Sequence, residues 1–103
     1  MTEKIQTALS GPQLRKLKSL AQRLESHVKV GKLGVTPAFL KSLNEVLAHQ
    51  ELIKVKFTEF RDEKKSLSER IAEKTGSHLI WIVGHVAVFY REQIDPNKRR
   101  ILV

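Results

Sequence analysis

Gly31-Lys32-Leu33-Gly34 sets a lysine between two glycines. Glycine has no Cβ, so a ligand can approach the backbone closely there. The next residues, Thr36-Pro37, read as a helix start, with Thr at the N-cap and Pro at the first helical position. A helix N-terminus presents unpaired N–H groups and the positive end of its dipole, both suited to phosphate. With Lys32 as a mobile charge at the tip, the loop reads as a clamp on a nucleic-acid backbone. The same letters also suit a plain strand-to-helix turn, because GxxG is short and recurs by chance. Lys54 and Lys56 alternate with apolar residues further on. They are either further phosphate contacts or simply the solvent side of a strand.

Other chemistries find less support. There is no cysteine, which removes disulfides, thiolate metal sites and cysteine nucleophiles. His27, His49, His78 and His85 are scattered without metal-ligand spacing, so no metal or other cofactor is expected. Asp62, Glu63, Glu69 and Glu73 share one mixed-charge helix with no clustered partner. The i, i+4 acids Glu69 and Glu73 suit pairing with Arg70 or Lys65 better than holding a metal. A nuclease is therefore the last-ranked reading, and no catalytic residue is assigned.

The charge points the same way as the loop. Nineteen Lys and Arg stand against eleven Asp and Glu, a net +8, which favours a polyanionic partner. Between residues 10 and 41, Arg15, Lys16, Lys18, Arg23, Lys29, Lys32 and Lys41 face Glu25 alone. Lys98-Arg99-Arg100 adds three more cations near the end. No apolar run is long enough for a membrane span or a signal peptide.

The elements that hold the loop follow from periodicity and turn chemistry. Residues 1–9 read as a loose arm, 10–92 as one domain and 93–103 as a basic tail. Ser10-Gly11-Pro12 opens a helix whose apolar stripe is Leu14, Leu17, Leu20, Ala21 and Leu24. Its other face is basic. His27-Val28-Lys29-Val30 is a short strand. The helix from Pro37 to about Gln50 buries Phe39, Leu40, Leu43, Val46 and Leu47. Glu51 to Thr58 alternates as a strand, with Ile53, Val55 and Phe57 on one face and Leu52, Lys54, Lys56 and Thr58 on the other. A third helix spans about Glu63 to Thr75, capped by Asp62 or starting later at Ser66-Leu67-Ser68-Glu69, and stops at Gly76. Leu79 to Val83 is apolar throughout and reads as a strand covered on both faces. Gly84-His85 turns it into the strand Val86–Tyr90. Trp81 belongs to the core, and Tyr90 buries its ring with the hydroxyl at an edge. Lys98 onward either hangs loose or adds an edge strand. The order α-β-α-β-α-β-β implies an α/β domain with a mixed sheet and packed helices.

Taken together these motifs resemble one family. The basic helix with Leu17-Lys18-Ser19-Leu20-Ala21, the loop Val30-Gly31-Lys32-Leu33-Gly34 before Thr36-Pro37, the strand Glu51-Leu52-Ile53-Lys54-Val55-Lys56, and the hairpin Ile82-Val83-Gly84-His85 with Val88-Phe89-Tyr90-Arg91 occur in the order of the CRM domain. That is the chloroplast RNA splicing and ribosome maturation module, and the small stand-alone bacterial YhbY-like form is most similar. The resemblance covers about residues 10–91. It implies a four-stranded mixed sheet flanked by three helices, similar to the C-terminal domain of translation initiation factor three. It implies RNA as partner, specifically ribosomal RNA of large-subunit precursors, with no small-molecule substrate, no membrane and no catalysis. Carried over by position, the RNA-binding residues are Gly31, Lys32, Leu33 and Gly34, with Arg15, Lys16 and Lys18 on the first helix. Lys29, Lys54 and Lys56 are secondary candidates. His85 stands where family members often carry arginine.

On this reading the protein is a cytoplasmic monomer that grips RNA by its backbone. With six per cent aromatic residues, most in apolar runs, no stacking platform is evident, so shape should matter more than sequence. A DNA-binding regulator using the same basic surface is the alternative, although a strand separates the first two helices and no helix-turn-helix emerges. Gly31→Asp and Gly34→Asp are each expected to weaken binding without disturbing the fold.

Overall fold

Ser10 begins the first helix with a reciprocal cap. Its hydroxyl accepts from the Gln13 N–H at 3.3 Å, and the Gln13 side chain accepts from the Ser10 N–H at 2.8 Å. The helix, α1, runs Gly11–Ala21, and its stripe buries Leu17 and Ala21. In the computed structural model, residues 9–25, 28–99 and 101 are described. The expected arm up to residue 8, His27 at the start of the first strand, and Arg100, Leu102 and Val103 at the end lie outside the described residues.

The chain continues through β1 (Val28–Val30), α2 (Pro37–Gln50), β2 (Leu52–Phe57), α3 (Lys64–Thr75), β3 (His78–Val83) and β4 (Val86–Tyr90). The four strands form one sheet in the order β1-β2-β4-β3. β1 and β2 are parallel, which requires a crossover, and α2 supplies it. β4 is antiparallel to both its neighbours. The expected mixed sheet with three helices is therefore present.

Alternation along the strands divides the helices between two faces. Ile53, Val55 and Phe57 of β2 join Val30, Ala87 and Phe89 under α2 and α3. Leu52, Val88 and Tyr90 face the other way and pack beneath Leu17 and Ala21 of α1. A bulge between Leu79 and Trp81 inserts Ile80, so Ile80 and Trp81 both serve the α1 side.

Three expectations need correction. β3 is covered on both faces only in its first half. Leu79 and Ile80 are buried, but Trp81 on the α1 face and Ile82 on the opposite face are half-buried, and Val83 at the end of the strand is exposed. Asp62 does not cap α3. A short 3-10 turn at Arg61–Glu63 absorbs it, Glu63 takes the N-cap position without a side-chain bond, and Ser66 already lies inside the helix. The Tyr90 hydroxyl is not at an edge: it is buried and has no hydrogen-bond partner among the described residues.

At the end of the sheet where β2 begins and β4 ends, polar groups are extensively wired. Glu51 is fully buried, with a left-handed φ of 63°. Its carboxylate accepts from the Gln93 N–H at 2.9 Å and the Ile101 N–H at 3.1 Å. Its carbonyl accepts from the Arg91 N–H at 2.8 Å. The Arg91 guanidinium donates to Asn44 Oδ1 at 2.7 Å, to the Asn44 carbonyl at 3.1 Å and to the Thr75 carbonyl at 2.8 Å. A cation there complements the negative end of α3. Arg99 donates to the Gln93 carbonyl at 2.8 Å and sits 3.6 Å from Glu92. The segment after β4 is thus fastened to the domain by hydrogen bonds to a buried carboxylate, which offset the cost of burying its charge.

Candidate nucleic-acid interface

The opposite end of the sheet gathers three turns. The Gly31–Gly34 turn follows β1, residues 58–63 follow β2, and Gly84-His85 joins β3 to β4. The His85 carbonyl accepts from the Phe57 N–H at 2.7 Å and ties the hairpin turn to β2. Lys64 Nζ donates to the Gly84 carbonyl and lies 3.3 Å from His85 Nδ1, which seats the start of α3 on that turn.

The GxxG turn closes on itself, the Gly34 N–H donating to the Gly31 carbonyl at 3.0 Å. This holds Lys32 and Leu33 at the tip, and Leu33 is 87% exposed. The two glycines have different reasons to be glycine. Gly34 adopts φ +72°, and a Cβ there would come 3.3 Å from Phe60 Cε2. Its conformation favours glycine, and a Cβ there would press on the Phe60 ring. At Gly31 a Cβ would meet nothing within 4 Å, and its φ lies outside the left-handed region. The fold makes no steric demand for glycine at Gly31. Gly34→Asp would therefore strain the turn, and only Gly31→Asp leaves the fold undisturbed.

Thr36 caps α2 as expected, its hydroxyl accepting from the Phe39 N–H at 3.0 Å. The cap also consumes a donor. Pro37 has no N–H and Phe39's is taken, so of the first turn Ala38 retains an N–H that the helix does not use. An open depression of about 420 Å³ lies between this turn and the loop, lined by Lys29, Gly31, Lys32, Gly34, Ala38 and Ser42 among others.

Strand register extends the basic surface. Lys29 of β1 and Lys56 of β2 are direct cross-strand partners, and the same row continues through Val86 and Val83. This row lies on the α1 side of the sheet, just beyond the helix, and both lysines are exposed. Like charges placed directly opposite repel each other. Among the described residues, neither lysine has a hydrogen-bond or ion-pair partner. The next row holds Lys54, Val88 and Trp81. Lys54 differs from Lys56, because its Nζ donates to the Leu24 carbonyl at 2.8 Å and anchors the exit of α1. Lys18 Nζ lies 5.6 Å from the Trp81 ring centre, a cation–π distance. Arg15 and Lys16 are exposed on α1, and the Arg15 guanidinium folds back toward Gly11.

The structure thus brings Gly31, Lys32, Leu33, Gly34, Lys29 and Lys56 to one end of the sheet. It places Lys18 and Lys54 one row inward and leaves Arg15 and Lys16 on the helix beyond. Sequence reasoning missed Phe60. This residue adopts φ 56°, ψ 37°, and is 41% exposed, with its ring against Gly34. A left-handed conformation costs a non-glycine residue about 1–2 kcal/mol. The only signal in the sequence was an aromatic residue set among Glu59, Arg61, Asp62 and Glu63, a setting too polar for a core position.

A family model for the CRS1 / YhbY (CRM) domain matches residues 9–91. The chain belongs to the CRM domain family. The "Probable RNA-binding protein PA4753" of Pseudomonas aeruginosa is 33% identical over 92 residues, covering 88% of each chain. The "Probable RNA-binding protein YqeI" of Bacillus subtilis is 34% identical over 92 residues, covering 88% of this chain and 95% of that one. The CRM-domain containing factor CFM3 of Zea mays, chloroplastic/mitochondrial, is 31% identical over 96 residues, which are 11% of its own length. Among solved structures, the solution structure of Staphylococcus aureus hypothetical protein SAV1595 superposes with a TM-score of 0.74 at 34% identity. That superposition covers 91% of this chain and 99% of the other. Among the described residues of this CRM domain no group of His, Asp and Glu side chains could hold a metal ion. No helix among them is long and apolar enough to cross a membrane.

Proposed function

We propose that this CRM protein binds RNA at the GxxG end of its sheet, as a cytoplasmic monomer and without catalysing a reaction. Its RNA is proposed to be ribosomal, in precursors of the large ribosomal subunit. The observation that carries the reading is the Lys29–Lys56 pair, two like charges side by side with no partner among the described residues, next to a glycine the fold does not require. A polyanion relieves that repulsion, and its backbone can approach Gly31 closely. The names of the Pseudomonas and Bacillus relatives support RNA as the polyanion.

Phosphates would lie in the depression between Lys29, Lys32 and the Ala38 N–H, with Lys56 alongside. Lys18, Arg15 and Lys16 extend the charged track along α1, and Lys54 contributes as a partly committed cation. Phosphate contacts of this kind set affinity and register rather than sequence choice. With about five phosphates engaged on single-stranded RNA, the log–log salt slope is expected to be about −3.5.

The test is sedimentation of the tagged protein from cell lysate at low and high salt. Salt-sensitive co-migration with large-subunit precursors, stronger than with mature ribosomes, is the expected result. Migration only at the top of the gradient at low salt would overturn the ribosomal assignment. Competition by duplex DNA as effective as by RNA would overturn RNA as the ligand.

A further inference from the structure

Phe60 touches the GxxG turn through Gly34, and Gly34 also lines the depression that holds Lys29 and Lys32. One residue thus separates an aromatic ring from the cations. From the geometry we infer that Phe60 is a stacking platform for an unpaired RNA base whose phosphate lies on the lysine side of Gly34. The inference rests on the RNA-binding reading and adds the base to it.

Four observations carry it. The ring is 41% exposed, whereas in the sheet Phe57, Phe89 and Tyr90 are buried and Trp81 is half-buried. Exposing an aromatic is costly in water and favourable against the π-face of a base. The ring lies beside the turn: its Cδ2–Cε2–Cζ edge is 3.3–3.8 Å from the point where a Cβ on Gly34 would stand. The glycine leaves room for the ring next to the loop that carries Lys32. The backbone at Phe60 is left-handed, a conformation that glycine or asparagine adopts more easily than an aromatic residue. The side chain is there despite its backbone cost, and no core contact explains it. Finally, Phe60 shares a second open depression, of about 570 Å³, with Thr58, Arg61 and the exposed acids Glu59, Asp62 and Glu63. Three acids against one cation leave this side net acidic, which favours the uncharged base over a phosphate. The carboxylate oxygens accept hydrogen bonds, which the N3–H of uracil and the amino groups of other bases donate.

This revises the expectation that the protein offers no stacking surface. The lysine side would grip the backbone of any strand, and Phe60 would require that at least one base be unpaired. Base-paired RNA cannot present a free base face to the ring.

The experiment compares a short single-stranded oligouridylate, which stacks little on itself, with the same ribose-phosphate chain lacking bases. Wild-type protein is expected to prefer the base-bearing strand by about tenfold. Phe60→Leu keeps an apolar side chain and should bind both strands equally, at the affinity wild type shows for the abasic one. Its salt slope should match wild type, because no phosphate contact is lost. Phe60→Trp should restore the preference. Equal binding of both strands by wild type, with a normal salt slope, overturns the stacking role and leaves the RNA-binding reading intact. So does a full preference retained in Phe60→Leu. Binding of neither strand at low salt overturns both readings. The wild-type comparison decides the matter even if the leucine variant folds poorly.

Discussion

The two ends of the sheet use the same residue types in opposite ways. Where β2 begins and β4 ends, the Arg91 guanidinium makes three hydrogen bonds and the Glu51 carboxylate accepts from two backbone N–H groups inside the protein. Where β1 and β2 end, Lys29, Lys32 and Lys56 have no partner among the described residues. A cation with its donors satisfied contributes to stability and has little left for a ligand. A cation facing another cation destabilises slightly and favours an anion. Net charge alone therefore says little about binding; what matters is which charges the fold has already used.

Substitutions can break that contrast at either end. The largest effect is expected from Arg91→Ala, which leaves Asn44 and the end of α3 without their donor. It should cost about 3 kcal/mol in urea unfolding. RNA affinity of the folded fraction should be unchanged; a loss of binding as large as the loss of stability would mean that the two ends are not separate.

The double change Lys29→Ala with Lys56→Ala should do the reverse. RNA affinity should fall and the salt slope should shrink by about 1.4, at roughly 0.7 per lost phosphate contact. Stability should stay within about 0.5 kcal/mol of the parent. An unchanged slope would remove both lysines from the interface. Lys54→Ala sharpens the point within one strand. Losing its bond to the Leu24 carbonyl should cost about 1 kcal/mol, with a smaller change in slope than Lys56→Ala produces.

The glycines separate in the same manner. Gly31→Asp is expected to weaken RNA binding at unchanged melting temperature, because its side chain meets open space. Gly34→Asp should lower both, since it adds strain and displaces Phe60. Similar melting temperatures for the two variants would contradict the distinct roles assigned to them.

The smallest effect concerns the unsatisfied group at the wired end. Burial, then the nearby Glu92 and Glu51, raise the Tyr90 pKa above its ordinary 10.0, against a lowering by Arg99. The folded state therefore keeps the phenol proton where the unfolded chain has lost it. Stability is full below pH 10 and falls as pH rises from there through the folded pKa. Tyr90→Phe should flatten that alkaline decline. At neutral pH it should be neutral or stabilising by up to about 1 kcal/mol, because it removes a buried hydroxyl that has no partner among the described residues. Unfolding curves at neutral and alkaline pH check both effects.

The elements, the GxxG turn and the two-faced strand β2 are legible in the chain alone. Each of these depends on neighbours a few residues apart: an alternation, a cap such as Ser10 with Gln13, a glycine stop such as Gly76. Local signals mislead where the backbone is unusual: after the left-handed Phe60, residues Arg61–Glu63 form a 3-10 turn and α3 starts only at Lys64, past Asp62. Which charges are left free depends on the folded arrangement of distant segments. Lys54 and Lys56 look alike in the chain, yet one meets the Leu24 carbonyl across 30 residues and the other does not. Glu51 reads as an ordinary strand-edge acid until Gln93 and Ile101, 42 and 50 residues away, reach it. Phe60 and Gly34 become one site only when the turns after β1 and β2 meet. Such partners are set by the register and crossing of distant strands, and no short-range pattern encodes that.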